Sequence, residues 1–459
     1  MTTATATSFR PPAPTPREKP LGLLARVATL RRNPIEIWTR AHYERPVLVG
    51  RTVFGRRAVV SDPAGVRRVF LDNAANYRKD DLQLRVLRPA LGNGLLTADG
   101  EEWRAQRRSL APLFTPRQVA AFAQAMAEAT RQGVDWLRQR DHRRVDLSSE
   151  MARLTLEILE HTLFSSGLGR DASEFQQAVT HYFDTVADVS LFDLMGITSF
   201  LPRRAQRKGR AVIEWFGRAV EDIIGARREL IAAGATAPRD ILTLLLEAQD
   251  PETGRGMPEQ DLRANIVTFI GAGHETTANA LTWTLYLLSQ SPPWRDRVEA
   301  EAEAQLDAGA MDTLIERMPV TKAVLEESLR LYPPAAILTR TAIAADEIGG
   351  KLIKPGTLVT VSPFLLHRHR TLWEHPDEFD PNRFIGANRD RIDRFAYIPF
   401  GTGPRVCIGM GFAMQEAIIV LAHLVRAFRF ELVAGHVVRP VQRITLRPQG
   451  GMPMIVRVR

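Results

Sequence analysis

Apolar residues recur with helical spacing over most of the chain. The stretch TPRQVAAFAQAMAEATRQGVDWL, residues 115–137, begins with Thr115 in a capping position and Pro116 just inside the start. The stretch DLRANIVTFIGAGHETTANALTWTLYLLSQSPP, residues 261–293, is apolar along much of its length and ends at two prolines. Because polar residues interrupt its middle, we predict a long helix buried through the centre of the fold, not a membrane span.

Two short regions instead alternate apolar residues with turn glycines, as strands do. They are PVLVGRTVFGRRAVVSD, residues 46–62, and GGKLIKPGTLVTVSP, residues 349–363. Pairing between such distant strands ties the ends of the chain together, and no repeat or linker-like stretch interrupts residues 21–459. We therefore predict a mainly α-helical (α+β) fold with small β-sheets, built as one large domain over residues 21–459.

The N-terminus, MTTATATSFRPPAPTPREKP, is small, polar and rich in proline. It has no apolar core like that of a signal peptide and no membrane-spanning stretch. We predict a disordered tail over residues 1–20 and a cytoplasmic protein without a membrane anchor. A single cysteine, Cys407, excludes an intramolecular disulfide and fits a reducing compartment.

The chain is basic, with a formal net charge of +9 and a sequence pI near 10.1. Such a balance raises nucleic acid, an anionic membrane surface or an acidic protein as partners. Most of the 61 basic residues are arginines spread along the whole length. That spread is typical of a compositional habit, and we expect no nucleic-acid partner.

The candidate chemistry centres on Cys407, in the stretch FGTGPRVCIGMG, residues 400–411. A thiol acts as a ligand or nucleophile only as thiolate. Glycines and Pro404 allow a tight loop, and an apolar helical pattern follows, so backbone N–H groups are expected to stabilise negative charge on sulfur. The alternative is a small buried cysteine with no chemistry. A structural zinc lacks its C-x₂-C spacing, and no local signature supports a cysteine protease.

The same loop resembles the haem-ligand loop of the cytochrome P450 family, F-x-x-G-x-R-x-C-x-G. The five fixed positions are occupied by Phe400, Gly403, Arg405, Cys407 and Gly409. The resemblance implies that the Cys407 thiolate is the axial ligand of the iron of haem b and promotes O–O cleavage. It also implies that Phe400 shields the sulfur and that backbone donors of the loop support it.

AGHETT, residues 272–277, resembles the family's A/G-G-x-D/E-T-T segment over the distal face of the haem. The resemblance implies that Ala272 and Gly273 leave room for O₂ and substrate, and that Glu275 and Thr276 deliver protons for O–O scission. The alternative for Thr276 is a hydrogen bond to its own helix. We interpret His274 as a packing residue, because its neighbours form no metal-binding set.

Two further motifs follow the family's order. EESLRLYPP (326–334) and FDPNRF (379–384) resemble the buried network of Glu327, Arg330 and Arg383, which would brace the cysteine loop. Alone, Glu327 and Arg330 would be an ordinary pair on one helix face.

EEWRAQRRSLAPLF (101–114) resembles the W-x-x-x-R helix that reaches the haem propionates. Trp103 and Arg107 are the donors that it implies, and Arg340 and Arg405 are further basic candidates. For each arginine the alternative is simple solvation at the surface.

The resemblance covers the chain from about residue 40 to the C-terminus, and its fold is a single mainly helical domain with a long central helix over the haem. Arg405, GHETT and the TLRPQGGMPM ending are similar to microsomal-type members and bacterial fatty-acid hydroxylases. We expect a soluble bacterial monomer. The chain ends too soon after Cys407 to include a fused flavin reductase, so electrons are expected from a separate ferredoxin or flavodoxin with its reductase. Arg104, Arg107 and Arg108 are the expected docking face.

The function implied is that of a haem-thiolate monooxygenase that uses O₂ to hydroxylate or epoxidise a hydrophobic small molecule. Fatty acids, terpenoids and aromatic compounds all stay open, because the segments that line the pocket in this family, residues 93–100, 181–201 and 333–339, are largely apolar. The alternatives are an H₂O₂-dependent peroxygenase, against which Glu275 and Thr276 argue, and a non-catalytic haem-binding sensor.

Overall fold

A computed structural model describes residues 9–52, 55–165 and 204–459 of the chain. Within these residues α-helices predominate and the strands form small sheets. The mainly helical fold with small sheets is therefore confirmed.

The helices form most of the core. The longer α-helices are Leu23–Arg32, Asp81–Leu91, Gly100–Leu110, Ala123–Arg138, Leu147–Phe164, Arg204–Ala232, Glu259–Gln290, Pro292–Gln305, Pro319–Leu331 and Met410–Ala427. The shorter ones are Arg40–Glu44, Pro63–Arg67, Pro116–Ala121, Ile241–Glu247, Leu314–Arg317, Pro363–Leu366 and Ala387–Asp390. A π-helical turn spans Arg68–Asp72. Short 3₁₀ segments are Pro34–Ile37, Ala74–Asn76, Ala111–Phe114, Met311–Thr313, Pro381–Phe384 and Gly403–Arg405.

The central helix, Glu259–Gln290, is the longest described element and is buried along most of its length. It lies against helix Leu147–Phe164, and its second half packs under the C-terminal strands. It ends at Gln290, with Ser291 as its C-cap, and the next helix begins at Pro292. Proline suits this first position because the first N–H groups of a helix have no partner within it. The predicted buried central helix is confirmed.

Strands from both ends of the chain share the largest sheet. The strands are β1 Val47–Thr52, β2 Gly55–Val60, β3 Tyr77–Lys79, β4 Arg144–Asp146, β5 Leu338–Ala342, β6 Asp346–Ile348, β7 Lys351–Ile353, β8 Leu358–Val361, β9 Phe428–Leu432, β10 Pro440–Gln442, β11 Leu446–Pro448 and β12 Pro453–Val458. The five-stranded sheet has the order β1-β2-β8-β5-β3, and β2 runs parallel to β8. This pairing of residues 55–60 with 358–361 confirms the predicted link between distant strands.

The predicted helix over residues 115–137 is interrupted. Helix Pro116–Ala121 ends at Phe122, whose N–H bonds the carbonyl of Val119, and helix Ala123–Arg138 follows. Phe122 is buried against Phe412 with ring centroids 6.1 Å apart, so packing fixes the break. Thr115 occupies the N-cap position and Pro116 the first turn, as predicted, although the Thr115 hydroxyl donates to the carbonyl of Pro112 and makes no capping bond to the helix.

The N-terminal segment is also different from the prediction. Residues 9–20 lie on the folded body: the Phe9 carbonyl accepts from Phe379 N–H at 2.9 Å, and the Pro12 carbonyl accepts from the Tyr332 hydroxyl at 2.8 Å. The Phe9 ring meets Tyr286 edge-on at 6.2 Å. The predicted disordered tail is therefore wrong for residues 9–20, because the proline-rich stretch offers carbonyls and an aromatic ring that the core binds.

Helix Met410–Ala427 is the one helix of the described residues long and apolar enough to cross a membrane, by length and composition only. Buried residues make up 67 % of it, as in the core helix of a globular protein. It begins three residues after Cys407, so the cysteine loop is attached directly to the core.

Candidate active site

The cysteine loop, residues 400–409, is closed by its own backbone. Cys407 N–H donates to the carbonyl of Phe400 at 2.9 Å, and Val406 N–H donates to the carbonyl of Gly403 at 3.0 Å. Gly403 has φ +71°, and a Cβ there would lie 1.9 Å from the carbonyl oxygen of Phe70. Only glycine fits this position, so the Gly403 of the motif is a requirement of the loop's close approach to the chain at Phe70.

The Cys407 side chain is reachable by solvent, yet it has enough protein around it for burial to raise the pKa of the thiol. Both observations hold if the sulfur lines an internal space. A hydrogen bond from Gly409 N–H and the positive charge of Arg107 lower the pKa of the thiol, as expected, but burial outweighs them. Burial thus disfavours the charged thiolate, which a bound metal cation would stabilise.

The other loop residues support this arrangement. Phe400 is half-buried and packs on the main apolar core. A Cβ on Gly409 would lie 4.0 Å from the Phe114 ring, and Phe114 in turn meets Phe269 of the central helix with ring centroids 5.4 Å apart. The Phe114 side chain thus lies between the cysteine loop and the central helix.

A basic cluster lies in the five-stranded sheet beside this region. Lys79 of β3 is directly opposite Arg340 of β5, and both are largely buried. Like charges opposite one another destabilise a strand pair unless an anion compensates. Burial together with the charges of Arg405 and Arg340 lowers the pKa of Lys79 to about 7, and burial with Arg405 lowers that of Arg340 to about 10.

The single carboxylate that faces this cluster in the described residues is Asp99, which forms an ion pair with Arg405. Arg405 also donates to the carbonyl of Ala98 at 3.1 Å, and its guanidinium lies 4.1 Å from the ring centre of Trp103. Asp99 begins helix Gly100–Leu110 by accepting from Gly100 N–H. Two or more further negative charges would be needed to balance the cations.

Arg107 lies one turn beyond Trp103 and donates to the carbonyl of Val406 at 3.0 Å. Burial lowers the pKa of its guanidinium, and the charge of Cys407 raises it. Arg405 thus lies beside Trp103 and close enough to lower the pKa of Arg340, and Arg107 contacts the cysteine loop at Val406. None of the four side chains is fully exposed at the surface.

These residues fit a haem. Within the described residues no group of three or more His, Cys, Asp and Glu side chains could hold a metal ion, so a metal at Cys407 must bring its other ligands with it. A porphyrin does so, and its propionates would supply the anions that Lys79, Arg340 and Arg405 lack. Lys79 and Asp99 were missed in the sequence, since one lysine beside two aspartates gives no signal without its strand partner.

The central helix presents an accessible patch opposite the loop. Ala272 is exposed in the middle of an otherwise buried helix, as expected for a residue that leaves room for substrate. Gly273 differs from the prediction, because a Cβ there would meet the Leu159 side chain at 3.3 Å. Its small size allows helix Leu147–Phe164 to approach and does not widen the site.

Glu275 and Thr276 point in different directions. The Thr276 hydroxyl donates to the carbonyl of Ala272 at 2.6 Å, the local bond that was the alternative reading of its sequence. The Glu275 carboxylate accepts from the Thr445 hydroxyl at 2.5 Å and lies 4.0 Å from the Arg447 guanidinium. The acid and the alcohol are thus adjacent in sequence, and each has another partner in space.

His274 is buried among apolar side chains, and burial lowers its pKa to about 4. Neither ring nitrogen has a hydrogen-bond partner among the described residues. Its carbonyl accepts from the Thr155 hydroxyl, on the neighbouring helix. This placement agrees with a packing role for a neutral imidazole.

The predicted Glu327, Arg330 and Arg383 network is present. Glu327 and Arg330 are fully buried and bond through two N–O contacts of 2.6 and 2.8 Å, and Arg383 lies 3.7 Å from Glu327. Arg330 also donates to the carbonyl of His367 at 2.7 Å. The His367 ring accepts from Ile398 N–H at 2.9 Å, two residues before the cysteine loop. The network therefore reaches the loop through His367.

The predicted docking face is only partly free. Arg108 makes two bonds of 2.8 and 2.9 Å to Asp250, and this pairing lowers the pKa of Asp250 to about 2. Arg104 pairs with Glu101 at the exposed surface. Arg108 is therefore neutralised within the fold, whereas Arg104 stays accessible. Of the predicted pocket segments, residues 181–201 lie outside the described residues, and Leu96 and Ile337 of the other two are at least partly exposed.

Comparison with known proteins agrees with this site. The family model described as Cytochrome P450 matches residues 16–453. Cyclooctatin synthase of Streptomyces melanosporofaciens is 33 % identical over 387 residues, which cover 84 % of this chain and 83 % of that protein. Cyclooctat-9-en-7-ol 5-monooxygenase of the same organism is 32 % identical over 419 residues, with 90 % and 88 % covered.

Among solved structures, the crystal structure of a cytochrome P450 (CYP102L1) superposes with a TM-score of 0.82 at 27 % identity. The match covers 97 % of this chain and all of that one. The chain therefore belongs to the cytochrome P450 family, and it is a monooxygenase of that family with haem as its cofactor.

Proposed function

We propose that this monooxygenase uses O₂ and two electrons from a separate ferredoxin or flavodoxin to hydroxylate or epoxidise a hydrophobic small molecule. The observation that carries the proposal is one accessible thiol, Cys407, on a loop whose Gly409 approaches Phe114, which in turn contacts Phe269 of the central helix that exposes Ala272. The bound haem supplies the activation of O₂. The chain supplies the binding, the exclusion of water and the proton path.

On the cysteine side, the Cys407 thiolate would bind the iron. Burial raises the pKa of the thiol, and Gly409 N–H and Arg107 oppose this effect, while Phe400 packs on the core beside the loop. Trp103, Arg107, Arg340 and Arg405, together with Lys79, would hold the propionates. Because these side chains are buried or half-buried, each charge-assisted bond to a carboxylate is stronger than at a fully exposed surface.

On the helix side, Ala272 leaves space above the cofactor, and Glu275 and Thr276 would supply protons. The Thr276 hydroxyl is bonded to Ala272, so it must turn from that carbonyl to donate into the site. The Glu275 carboxylate accepts a hydrogen bond from Thr445, the residue before strand β11. A general acid of this kind contributes a rate factor of about 10²–10⁴.

The substrate is expected to be apolar, because Leu95, Leu96, Ile337 and Leu338 are accessible or half-buried in the segments assigned to the pocket. Fatty acids, terpenoids and aromatic compounds all fit this description. The cytoplasmic location and the monomeric state stay predictions.

The electron donor would be acidic and would dock near Arg104. Replacement of Arg104 by Glu is expected to slow reduction by a ferredoxin several-fold at low salt, and added salt should reduce the difference. Stopped-flow reduction rates over a salt series measure the effect. Arg117→Glu, on another exposed residue, is the comparison variant. Equal rates and equal salt slopes for wild type and Arg104→Glu would remove Arg104 from the docking face.

The primary experiment is the absorption spectrum of the dithionite-reduced protein under carbon monoxide, with Cys407→His beside the wild type. The wild type should show the Soret band of a thiolate-ligated haem, and the variant should lose it. Arg447→Gln is a matched control that leaves the loop unchanged. A wild-type band at the position of a His-ligated haem would overturn the role of Cys407 and the proposed reaction with it.

A further inference from the structure

The Glu275 carboxylate is held by Thr445, which is far away in sequence and directly precedes strand β11. The Thr445 hydroxyl donates to Glu275 at 2.5 Å, and the Asn279 amide donates to the same hydroxyl at 3.0 Å. Asn279 and Thr445 are both buried. Since the Asn279 amide occupies a lone pair of the Thr445 oxygen, the only proton of that hydroxyl is left for the carboxylate.

Strand β11, which begins directly after Thr445, is itself fixed on the central helix. Trp283, one turn beyond Asn279, donates its indole N–H to the carbonyl of Leu446 at 3.2 Å. Leu446 N–H donates to the carbonyl of Pro334 at 2.9 Å. Glu275, Asn279 and Trp283 are spaced by one helical turn each, so one face of the central helix binds the consecutive residues Thr445 and Leu446. The position of the Thr445 hydroxyl is therefore defined by buried contacts on both sides.

The opposite end of this connection reaches solvent. The Arg447 side chain is 38 % exposed, and its guanidinium lies 4.0 Å from the Glu275 carboxylate. The Glu275 side chain is 19 % exposed. Thr276, the next residue, turns away toward Ala272 and the accessible patch. Glu275 thus lies between a surface arginine on one side and the site on the other.

From this arrangement we infer that Thr445 is a positioning residue for Glu275, and that protons reach Glu275 from solvent beside Arg447, which lies on strand β11. The inference rests on the proposed function, in which Glu275 is an acid. In each transfer the carboxylate accepts one proton from solvent at the Arg447 side and releases one proton toward Thr276, so that its charge is restored. By donating a hydrogen bond to one oxygen of the Glu275 carboxylate, Thr445 holds the carboxylate between Arg447 and Thr276.

The test follows the fate of O₂ in the haem-loaded enzyme without added substrate, with electrons from a surrogate ferredoxin and its reductase. Reduction of O₂ to hydrogen peroxide consumes two electrons and two protons, whereas reduction to water consumes four of each. The ratio of electrons to O₂ therefore reports proton delivery without knowledge of the substrate. Wild type, Thr445→Val, Thr445→Ser and Glu275→Gln are compared.

The expected result is a several-fold rise in the share of peroxide for Thr445→Val, and recovery in Thr445→Ser, which keeps the hydroxyl. A second readout needs no turnover: the infrared carboxyl band that is lost in Glu275→Gln should shift in Thr445→Val and return in Thr445→Ser. The reduced carbon monoxide spectrum should stay at its wild-type position. The unfolding temperature should fall in Thr445→Val, which leaves the buried Asn279 amide without its acceptor, and return in Thr445→Ser.

Two outcomes would contradict the inference, and they can be told apart. If Glu275→Gln raises the peroxide share but Thr445→Val leaves both the share and the band unchanged, the positioning role is wrong and the proposed function stands. If Glu275→Gln itself changes nothing, the acid role of Glu275 falls, and the positioning role falls with it. Should Thr445→Val fail to fold, Arg447→Gln at the surface provides the same comparison, with a rise in peroxide expected and an unchanged share contradicting the route.

Discussion

The cysteine side and the helix side of the site are built in opposite ways. On the cysteine side, the ligand loop closes through bonds between residues 400–407 and rests on a buried ion pair. On the helix side, Glu275 depends on Thr445, which lies 170 positions away in sequence. The first is a buried frame in which a change is expected to disturb the fold. The second is a hydrogen-bonded pair, buried Thr445 and partly exposed Glu275, in which a change is expected to disturb the chemistry.

The largest expected effect is in the frame. Glu327→Gln removes the charge that pairs with fully buried Arg330, and loss of one partner of such a pair costs about 3–5 kcal/mol. The free energy of unfolding in urea measures this cost, and haem content should fall as His367 loses its support.

The neighbouring Glu326→Gln is its matched control. Glu326 pairs with Arg389, whose side chain is 38 % exposed, so the cost is expected to stay within about 1 kcal/mol. Equal losses for the two variants would show that the buried pair has no special role in the frame. By contrast, Thr445→Ser on the helix side keeps the hydroxyl that bonds Asn279 and Glu275 and should unfold like the wild type.

A smaller effect is expected from glycine replacement within the loop. Gly401 and Gly403 both have φ +71°, which costs an alanine about 1–2 kcal/mol. A Cβ on Gly401 meets nothing within 4 Å, whereas on Gly403 it would clash with the Phe70 carbonyl. Gly403→Ala should therefore unfold at a lower temperature and bind less haem than Gly401→Ala. If the two variants were equally stable, the positive φ angle, and not the clash with Phe70, would account for the loss of stability in both.

The smallest effect is a pH dependence at the basic cluster. Burial and the charges of Arg405 and Arg340 lower the pKa of Lys79 to about 7, although Asp99 raises it. A propionate would raise the pKa of Lys79, so haem binding takes up a proton above about pH 7 and weakens as the pH rises from there toward the ordinary lysine pKa of about 10.4.

This dependence is measured as the rate of haem transfer to apomyoglobin between neutral and alkaline pH. The rate for wild type should rise with pH, and Lys79→Met should flatten the rise. The exposed Lys351→Met is the control and should keep the wild-type slope. An unchanged slope in Lys79→Met would exclude Lys79 from cofactor binding.

The sequence predicted the parts of the site in which neighbours along the chain are neighbours in space. The cysteine loop and the central helix, predicted over residues 261–293 and found as Glu259–Gln290, are of this kind. The break at Phe122 was missed because it depends on a contact with Phe412, and the binding of residues 9–20 was missed because their partners lie beyond residue 280.

By itself, the sequence determined the family and the helical fold and predicted Cys407 as the iron ligand, because these depend on spacing within short stretches. Only the tertiary structure decided that Lys79 faces Arg340, that Asp99 pairs with Arg405 and that Glu275 turns to Thr445. Charges and hydrogen bonds act over a few ångströms. The register of the strands and the packing of the helices decide which groups come that close. The local pattern of residues does not carry this information.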